Sequence, residues 1–177
     1  MNKFIKRSKK LNGEKYTYEK VEITNGIKTK VCLNCKIHGY FYQNVYDHIY
    51  GNKSGCPKCN ESKGEKSIRV FLENENVEYI KNKTFDKCKY KRNLYFDFYL
   101  VDYNICIEFD GIQHETGWRY NYKTKTINKN IEQSKNIQKI RDNIKTNFCK
   151  ENNIKLLRIS YRDYEKIENI LIDLLNL

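Results

Sequence analysis

Two carboxylates lie inside one apolar segment of the chain, Ile105–His114, which continues into a glycine and a histidine. Glu108 and Asp110 are two residues apart, so in a strand they would share a face. A preceding apolar and aromatic segment carries a further carboxylate, Asp97. Acids inside such strands are costly unless they are compensated. A hard cation held by Asp97 and Glu108 would compensate them and leave positions open for phosphate and water.

This arrangement of acids suits phosphodiester hydrolysis, in which a metal stabilises developing charge and a water attacks in line. Gln113 and His114 follow the Gly111 turn and can return toward the acids, with His114 as general base or leaving-group acid. Glu65 either adds a carboxylate to the site or favours the N-terminus of its helix. The alternative is that these acids form ion pairs with lysine and arginine across a sheet. The clustering of several titratable groups favours a site.

A second set of residues has the spacing of a structural zinc site. Cys56-x-x-Cys59 supplies one pair of ligands, and the other pair is either Cys32 with Cys35 or Cys35 with His38. We favour Cys35 and His38, because Cys35 alternates in phase with the apolar residues before it, whereas Cys32 does not. The expected zinc ligands are therefore Cys35, His38, Cys56 and Cys59. The alternative is buried free cysteines with a surface histidine.

The remaining histidine and cysteines of the pattern are not expected to bind metal. His48 is flanked by apolar residues, which favours packing or a phosphate contact. Cys88, Cys106 and Cys149 have no pair spacing and are interpreted as small core or surface thiols.

The elements that position these residues follow from hydrophobic periodicity and turn residues. The Asn25-Gly26 pair predicts a hairpin between two short strands within residues 15–33. A small N-terminal unit is expected to end at a linker over residues 60–64. Beyond it we predict helices at 67–76, 127–152 and 164–177, and strands at 78–85, 94–100, 104–110 and 155–160. This order predicts a mixed α/β sheet flanked by helices.

The composition limits the class of partner. The 177 residues carry a net charge of +12, and residues 1–60 hold 12 basic against 4 acidic residues. Such an excess predicts a polyanionic partner, here DNA, although a generally Lys- and Asn-rich proteome would also produce a basic chain. No signal peptide or membrane span is recognisable. The seven cysteines then indicate an intracellular, reduced protein, in cytoplasm or nucleoid, that binds metal through thiols. The oligomeric state is not predicted.

Beyond residue 60, the motifs resemble the very-short-patch-repair-type branch of the PD-(D/E)xK nucleases, which has phage-encoded homing-type relatives. The resemblance rests on Asp97, Glu108-Phe-Asp110-Gly-x-Gln113-His114, Arg141-Asp142-x-x-Lys145 and Leu156-Leu157-Arg158-Ile159. It implies a restriction-endonuclease-like sheet over residues 61–177, Mg²⁺ bound by Asp97 and Glu108, and roles for Asp110 and His114. The sequence departs from the family at the third position of the triplet, which is Asp110 instead of lysine. Gln113, His114 or Lys145 is expected to substitute for that lysine.

Residues 1–60 resemble the zinc-finger repeat that is often fused to such nucleases. The matching motifs are Lys15-Tyr16-x-Tyr18, Cys35-x-x-His38-Gly39-x-Phe41 and Gly55-Cys56-Pro57-x-Cys59. The resemblance implies a zinc-finger DNA-binding domain at 1–60 and a virus- or phage-encoded protein.

Three functions compete on these grounds. The first is a magnesium-dependent DNA endonuclease, the second is a DNA-binding protein with an inactive nuclease fold, and the third is a zinc protein that acts through protein contacts. An inactive nuclease would be expected to have lost Asp97 or Glu108, and both are present. The basic finger argues against the third. The endonuclease is therefore the leading prediction.

Overall fold

The computed structural model describes residues 2–50, 55–112, 120–121, 126–127 and 131–177. The chain divides into two compact units, Met1–Ser62 and Lys63–Leu177. The division lies two residues beyond the predicted boundary at residue 60. No helix in the described part of the chain is both long enough and apolar enough to cross a membrane.

The first unit is a small three-stranded sheet with two helices. Its elements are α1 (Asn2–Asn12), β1 (Tyr16–Thr17), β2 (Lys30–Cys35), β3 (Gly39–Asn44) and α2 (Val45–Ile49). The strands pair antiparallel in the order β1-β2-β3. Alternation along β2 buries Val31, Leu33 and Cys35, and these side chains join a core that includes Phe4 and Tyr16.

The prediction of a tight hairpin turn at Asn25-Gly26 is wrong. Residues Gly26–Lys28 form a 3-10 turn, and a long connection over residues 18–29 separates β1 from β2. A type I′ hairpin turn needs positive φ at both central residues, whereas Asn25 has a φ of −130°. The tight hairpin of this unit instead joins β2 to β3, where Cys35 pairs with Gly39. Gly39 has a φ of +75°, which a residue with a side chain rarely adopts.

The second unit is a mixed α/β structure, as predicted. Its elements are α3 (Lys63–Asn74), β4 (Tyr79–Lys89), β5 (Asn93–Leu100), β6 (Ile105–Asp110), β7 (Tyr120–Asn121), β8 (Thr126–Ile127), α4 (Ile131–Glu151), β9 (Lys155–Ser160) and α5 (Ile167–Leu175). The main sheet has the order β4-β5-β6-β9, and β7 pairs with β8 separately. Strands β4, β5 and β6 are antiparallel neighbours, whereas β9 runs parallel to β6.

Helices cover both faces of this sheet. On β6, Ile105 and Ile107 pack in a cluster with Ile68 of α3 and Leu171 of α5. Cys106, which lies between them, packs in a second cluster with Cys149 of α4. Successive side chains of a strand point to opposite faces, so the unit has three layers. The central strand β6 is therefore buried on both sides, which explains its nearly continuous apolar sequence.

Helix α3 begins earlier than predicted. The periodic apolar residues indicated a start at Ser67, whereas the helix starts at Lys63. Its first turn therefore includes Gly64 and Glu65. Gly64 is buried, and the low helix propensity of glycine hid this turn from the sequence pattern.

Candidate metal centre and candidate active site

The hairpin between β2 and β3 and the turn at Pro57–Asn60 bring the four predicted ligands together. One ligand atom from each of Cys35, His38, Cys56 and Cys59 lies within 4.8 Å of the others, a group that could hold a metal ion. The Cys35 and Cys59 Sγ atoms are 3.7 Å apart. His38 Nδ1 lies 3.8, 3.6 and 3.2 Å from the Sγ atoms of Cys35, Cys56 and Cys59.

Tyr16 positions the second pair of ligands. The backbone N–H of Cys56 donates a hydrogen bond of 3.0 Å to the Tyr16 hydroxyl oxygen. A Cβ atom on Gly55 would lie 2.1 Å from the same hydroxyl, so only glycine lets the chain approach the ring this closely. Burial raises the pKa of Tyr16, which keeps the phenol neutral beside the thiols. The contacts of the Tyr16 hydroxyl with Gly55 and with the Cys56 N–H explain the presence of Tyr16 and Gly55 in the zinc-site motifs.

The residues judged not to be ligands lie apart from this group. Cys32 is on β2 with its side chain out of phase with the buried positions. His48 is buried, and its Nδ1 lies 3.0 Å from Gln43 Oε1. Its ring also packs against Tyr16 and Tyr18. Cys88, Cys106 and Cys149 are core thiols of the second unit.

In the second unit, Asp97 on β5 and Glu108 on β6 lie near each other on neighbouring strands, and the Asp97 carboxylate contributes to the raised pKa of Glu108. The recorded antiparallel register ends at the pair Phe98 and Ile107, and each acid is the next residue beyond that pair on its strand. The backbone N–H of Phe109 donates a 2.8 Å hydrogen bond to Asp97 Oδ2. Burial raises the pKa of Asp97, while this hydrogen bond opposes the rise. The hydrogen bond therefore fixes one carboxylate oxygen and orients the side chain toward β6.

Glu108 is the more deeply buried of the two acids, with 4% of its surface exposed. Burial raises its pKa to about 7, the Lys145 ammonium opposes the rise, and Asp97 adds to it. Lys145 of α4 is itself buried, and its Nζ donates a 2.5 Å hydrogen bond to Glu108 Oε1. Within the described residues, Asp97 Oδ1 and Glu108 Oε2 make no hydrogen bond. Each acid thus retains one oxygen for a ligand.

Glu65 lies in the first turn of α3 and is also near Asp97. It is an electrostatic contributor to the raised pKa of Asp97, and its Oε2 lies 3.3 Å from Lys81 Nζ on β4. Close packing at Gly64 allows this position, because a Cβ there would lie 2.2 Å from Cζ of Phe109. The two alternatives for Glu65, a helix N-terminal charge and an acid at the site, are therefore compatible.

Asp110 is held differently from the other acids. Arg158 Nη1 donates hydrogen bonds of 3.0 and 3.2 Å to its two carboxylate oxygens. The Nη2 atom of the same arginine donates to Asp142 Oδ1 at 3.1 Å. In the part of the chain that the structure describes, no acids form a group of three ligand atoms. Asp110 therefore fits the ion-pair alternative, and the pair Asp97 and Glu108 carries the magnesium prediction alone.

Two predicted site residues, Gln113 and His114, lie outside the described residues. Of the three candidates for the missing lysine, Lys145 is therefore the one whose placement is known. Its Nζ reaches Glu108 from helix α4, whereas the family motif would supply the lysine from the strand itself.

A basic cleft of about 530 Å³ opens beside Lys145. Its lining includes Lys91 and Arg92 after β4 and Arg141 of α4. The Nε atom of Arg141 is buried and has no hydrogen-bond partner among the described residues. Arg141 precedes Lys145 by four residues in the sequence, and no role was predicted for Arg141. That i,i+4 spacing places both cations on one helix face. This was the sequence signal from which a role for Arg141 beside Lys145 could have been predicted.

Comparisons with known proteins give a family match over the first unit and a viral relative. A family model described as "Protein of unknown function (DUF723)" matches residues 1–60. The chain is also 40% identical over 58 residues to Uncharacterized protein R97 of Acanthamoeba polyphaga mimivirus. That alignment covers 33% of this chain and 20% of the viral protein, so the chain spans about a fifth of this curated relative. No solved structure matches the chain.

Proposed function

We propose that this protein is a metal-dependent DNA endonuclease whose N-terminal zinc finger assists DNA binding. The observation that carries the proposal is the pair formed by half-buried Asp97 and buried Glu108, with Lys145 against Glu108. Two acids and one cation that are largely withdrawn from water are costly for folding alone. Lys145 also lines the basic cleft, and this gives the group a use in binding and hydrolysing a phosphodiester.

The donor set at this pair fits Mg²⁺. Magnesium prefers carboxylate oxygens and keeps several waters, and in this pair Asp97 Oδ1 and Glu108 Oε2 make no hydrogen bond within the described residues. When bound there, Mg²⁺ would neutralise charge on the phosphodiester and promote ionisation of a coordinated water. The raised pKa of both acids is what a site built to receive a cation would display before the cation arrives.

Lys145 takes the place of the lysine that the triplet lacks. Its ammonium orients Glu108 through the 2.5 Å hydrogen bond and adds positive charge where negative charge would develop on the phosphate. Arg141, one helical turn earlier, would add a second cation from which phosphate oxygens can accept hydrogen bonds. Both cations line the cleft, so the substrate backbone would lie along it.

The chemistry of the Cys/His group fits zinc. With Zn–S distances near 2.3 Å and Zn–N distances near 2.0–2.1 Å, a tetrahedral site has edges of about 3.5–3.8 Å. Four of the six edges, one S–S and three S–N distances, measure from 3.2 to 3.8 Å. Three thiols and one imidazole are also the soft and borderline donors that zinc selects.

The second candidate function is a DNA-binding protein with an inactive nuclease fold. It is favoured by the absence of the triplet lysine from the strand, because Asp110 occupies that position and is held in an ion pair with Arg158. Under this alternative the basic cleft and the finger would bind DNA, and Asp97 and Glu108 would not support cleavage.

The experiment that separates the two is a cleavage assay on plasmid, linear duplex and branched DNA with magnesium or manganese. The variants Asp97→Asn, Glu108→Gln and Lys145→Met should each lower the rate about a hundredfold or more, because each removes charge stabilisation of the transition state. DNA affinity should be unchanged or slightly higher for the two acid variants, since a negative charge facing phosphate disappears. The matched control is Asp102→Asn, an exposed acid in the turn after β5, which should cut like wild type.

Two outcomes would contradict the proposal. If wild type cuts but the acid variants cut equally fast while folded, the active site lies elsewhere. If wild type cuts none of these substrates with either metal, the inactive alternative replaces the endonuclease.

A further inference from the structure

Two tyrosines stand side by side on the outer face of the first unit's sheet. Tyr40 and Tyr42 of β3 are 51% and 66% exposed. The residues that alternate with them point inward, where Phe41 packs on the core and Gln43 contacts His48. Alternation along the strand therefore places both tyrosine rings on the face away from the core.

The neighbours of these rings are cationic and polar. Lys20 Nζ lies 4.4 Å from the centre of the Tyr40 ring, and Lys30 Nζ lies 5.9 Å from the centre of the Tyr42 ring. Across the sheet, Tyr40 pairs with Asn34, whose side-chain amide donates to Thr17 Oγ1 at 3.3 Å. We call the surface formed by Tyr40, Tyr42, Lys20, Lys30 and Asn34 the tyrosine face.

The spacing of the two rings distinguishes between nucleic-acid conformations. Residues two apart in a strand are separated by about 6.6 Å, since the rise is about 3.3 Å per residue. Stacked bases in duplex DNA rise only about 3.4 Å per step. Neighbouring bases can each meet one of these rings only when the strand is unpaired and unstacked. Aromatic side chains on an open sheet beside cations bind single strands in this manner.

We propose that the tyrosine face binds unpaired DNA, with one base stacked on each of Tyr40 and Tyr42 and the phosphates near Lys20 and Lys30. The charge of the face favours this partner over a protein, because a lysine accompanies each ring. The inference rests on the DNA-binding role in the proposed function and adds a preference for single-stranded segments. It does not depend on cleavage chemistry in the second unit.

The test is equilibrium binding of the full, zinc-loaded chain to an oligothymidine of about 16 nucleotides and to a duplex of equal length, without magnesium. Tyr40→Ala and Tyr42→Ala should each weaken single-strand binding about tenfold while changing duplex binding little. Tyr40→Phe and Tyr42→Phe should retain affinity, since phenylalanine also stacks. The matched control is Tyr103→Ala, an exposed tyrosine of the second unit, which should leave both affinities unchanged.

Salt dependence separates stacking from charge. The alanine variants at the tyrosines should keep the slope of log affinity against log salt, because no phosphate contact is lost. Lys20→Ala and Lys30→Ala should each reduce that slope by about one. If both tyrosine variants bind the single strand like wild type, the inference is wrong even when the chain cuts duplex DNA. If the tyrosine variants weaken binding but wild type never cleaves, the inference stands and only the catalytic part of the proposed function fails.

Discussion

His48 shows how burial alone can set the charge of a residue. Its ring lies 5.4 Å from that of Tyr16 and 5.9 Å from those of Phe4 and Tyr18. Burial lowers the pKa of His48 to about 4. Its Nδ1 is within hydrogen-bond distance of the Gln43 amide oxygen, which suits a neutral imidazole that carries a proton on that nitrogen. His48 is therefore part of the core and not a phosphate contact.

The stability of the first unit should consequently fall as the solution becomes acidic. Between about pH 6.5 and about pH 4, unfolded His48 binds a proton that folded His48 does not, so stability is full above about pH 6.5 and declines as pH falls toward 4. A lowering from 6.5 to about 4 corresponds to about 3 kcal/mol. Urea unfolding of this unit, followed by the methyl resonances of Val31 and Leu33 across this pH range, would measure the decline.

The variant His48→Gln supplies the control for that measurement, because it keeps His38 and removes only the buried imidazole. Between about pH 6.5 and about pH 4, its free energy of unfolding should fall by about 3 kcal/mol less than that of wild type. An NMR titration that gives His48 an ordinary pKa, or equal pH dependence in the two proteins, would refute the assignment.

At the scale of elements, the contact between α3 and β6 controls the candidate active site. Gly64 lies against the ring of Phe109, and the backbone N–H of Phe109 binds Asp97. The same helix turn carries Glu65 toward Asp97. The distance between one helix end and one strand therefore sets the positions of two acids.

Gly64→Ala should be destabilising, although alanine is the better helix former by up to about 1 kcal/mol. The added Cβ would stand 2.2 Å from Cζ of Phe109, and such overpacking costs about 1–3 kcal/mol. We expect a lower urea midpoint for the second unit and slower cleavage. Lys66→Ala, at an exposed position of the same helix, should show neither effect.

The double variant Gly64→Ala with Phe109→Leu tests the mechanism, since a smaller side chain relieves the contact. Partial recovery of the midpoint relative to Gly64→Ala is expected. A Gly64→Ala protein as stable and active as wild type would show that α3 and β6 are not closely packed at this point.

Features that depend on residues close together in the sequence could be predicted, whereas contacts between distant residues could not. The zinc ligands on β2 could be chosen because burial alternates along a strand, and this placed Cys35 inward and Cys32 outward. The strands of the second unit were recognisable as apolar segments separated by polar turns. The ion pair of Asp110 with Arg158 was not predictable, because it joins strands far apart in sequence. The contact of Lys145 with Glu108 could be suspected only as one of three candidates, since helix α4 brings it from 37 residues away.

At the scale of the whole molecule, the chain consists of two units with separate cores. The first is small, and a core of that size rarely supplies more than about 3–5 kcal/mol without a metal or disulfide. The second has a four-stranded sheet covered by helices on both faces and needs no metal to bury its core. Loss of zinc should therefore affect the two units differently.

We expect chelation of zinc to unfold the first unit and leave the second folded. Metal binding contributes directly to the folding free energy of small Cys/His domains. Hydrogen exchange of the full chain, with and without chelator, should show lost protection within residues 2–50 and unchanged protection in β5, β6 and β9.

Metal analysis should give one zinc per chain for wild type and for Cys32→Ser, and less than one for Cys59→Ser. Full zinc in Cys59→Ser, or loss of zinc in Cys32→Ser, would show that the ligand set is wrong. Equal loss of protection in both units would show that they do not fold independently.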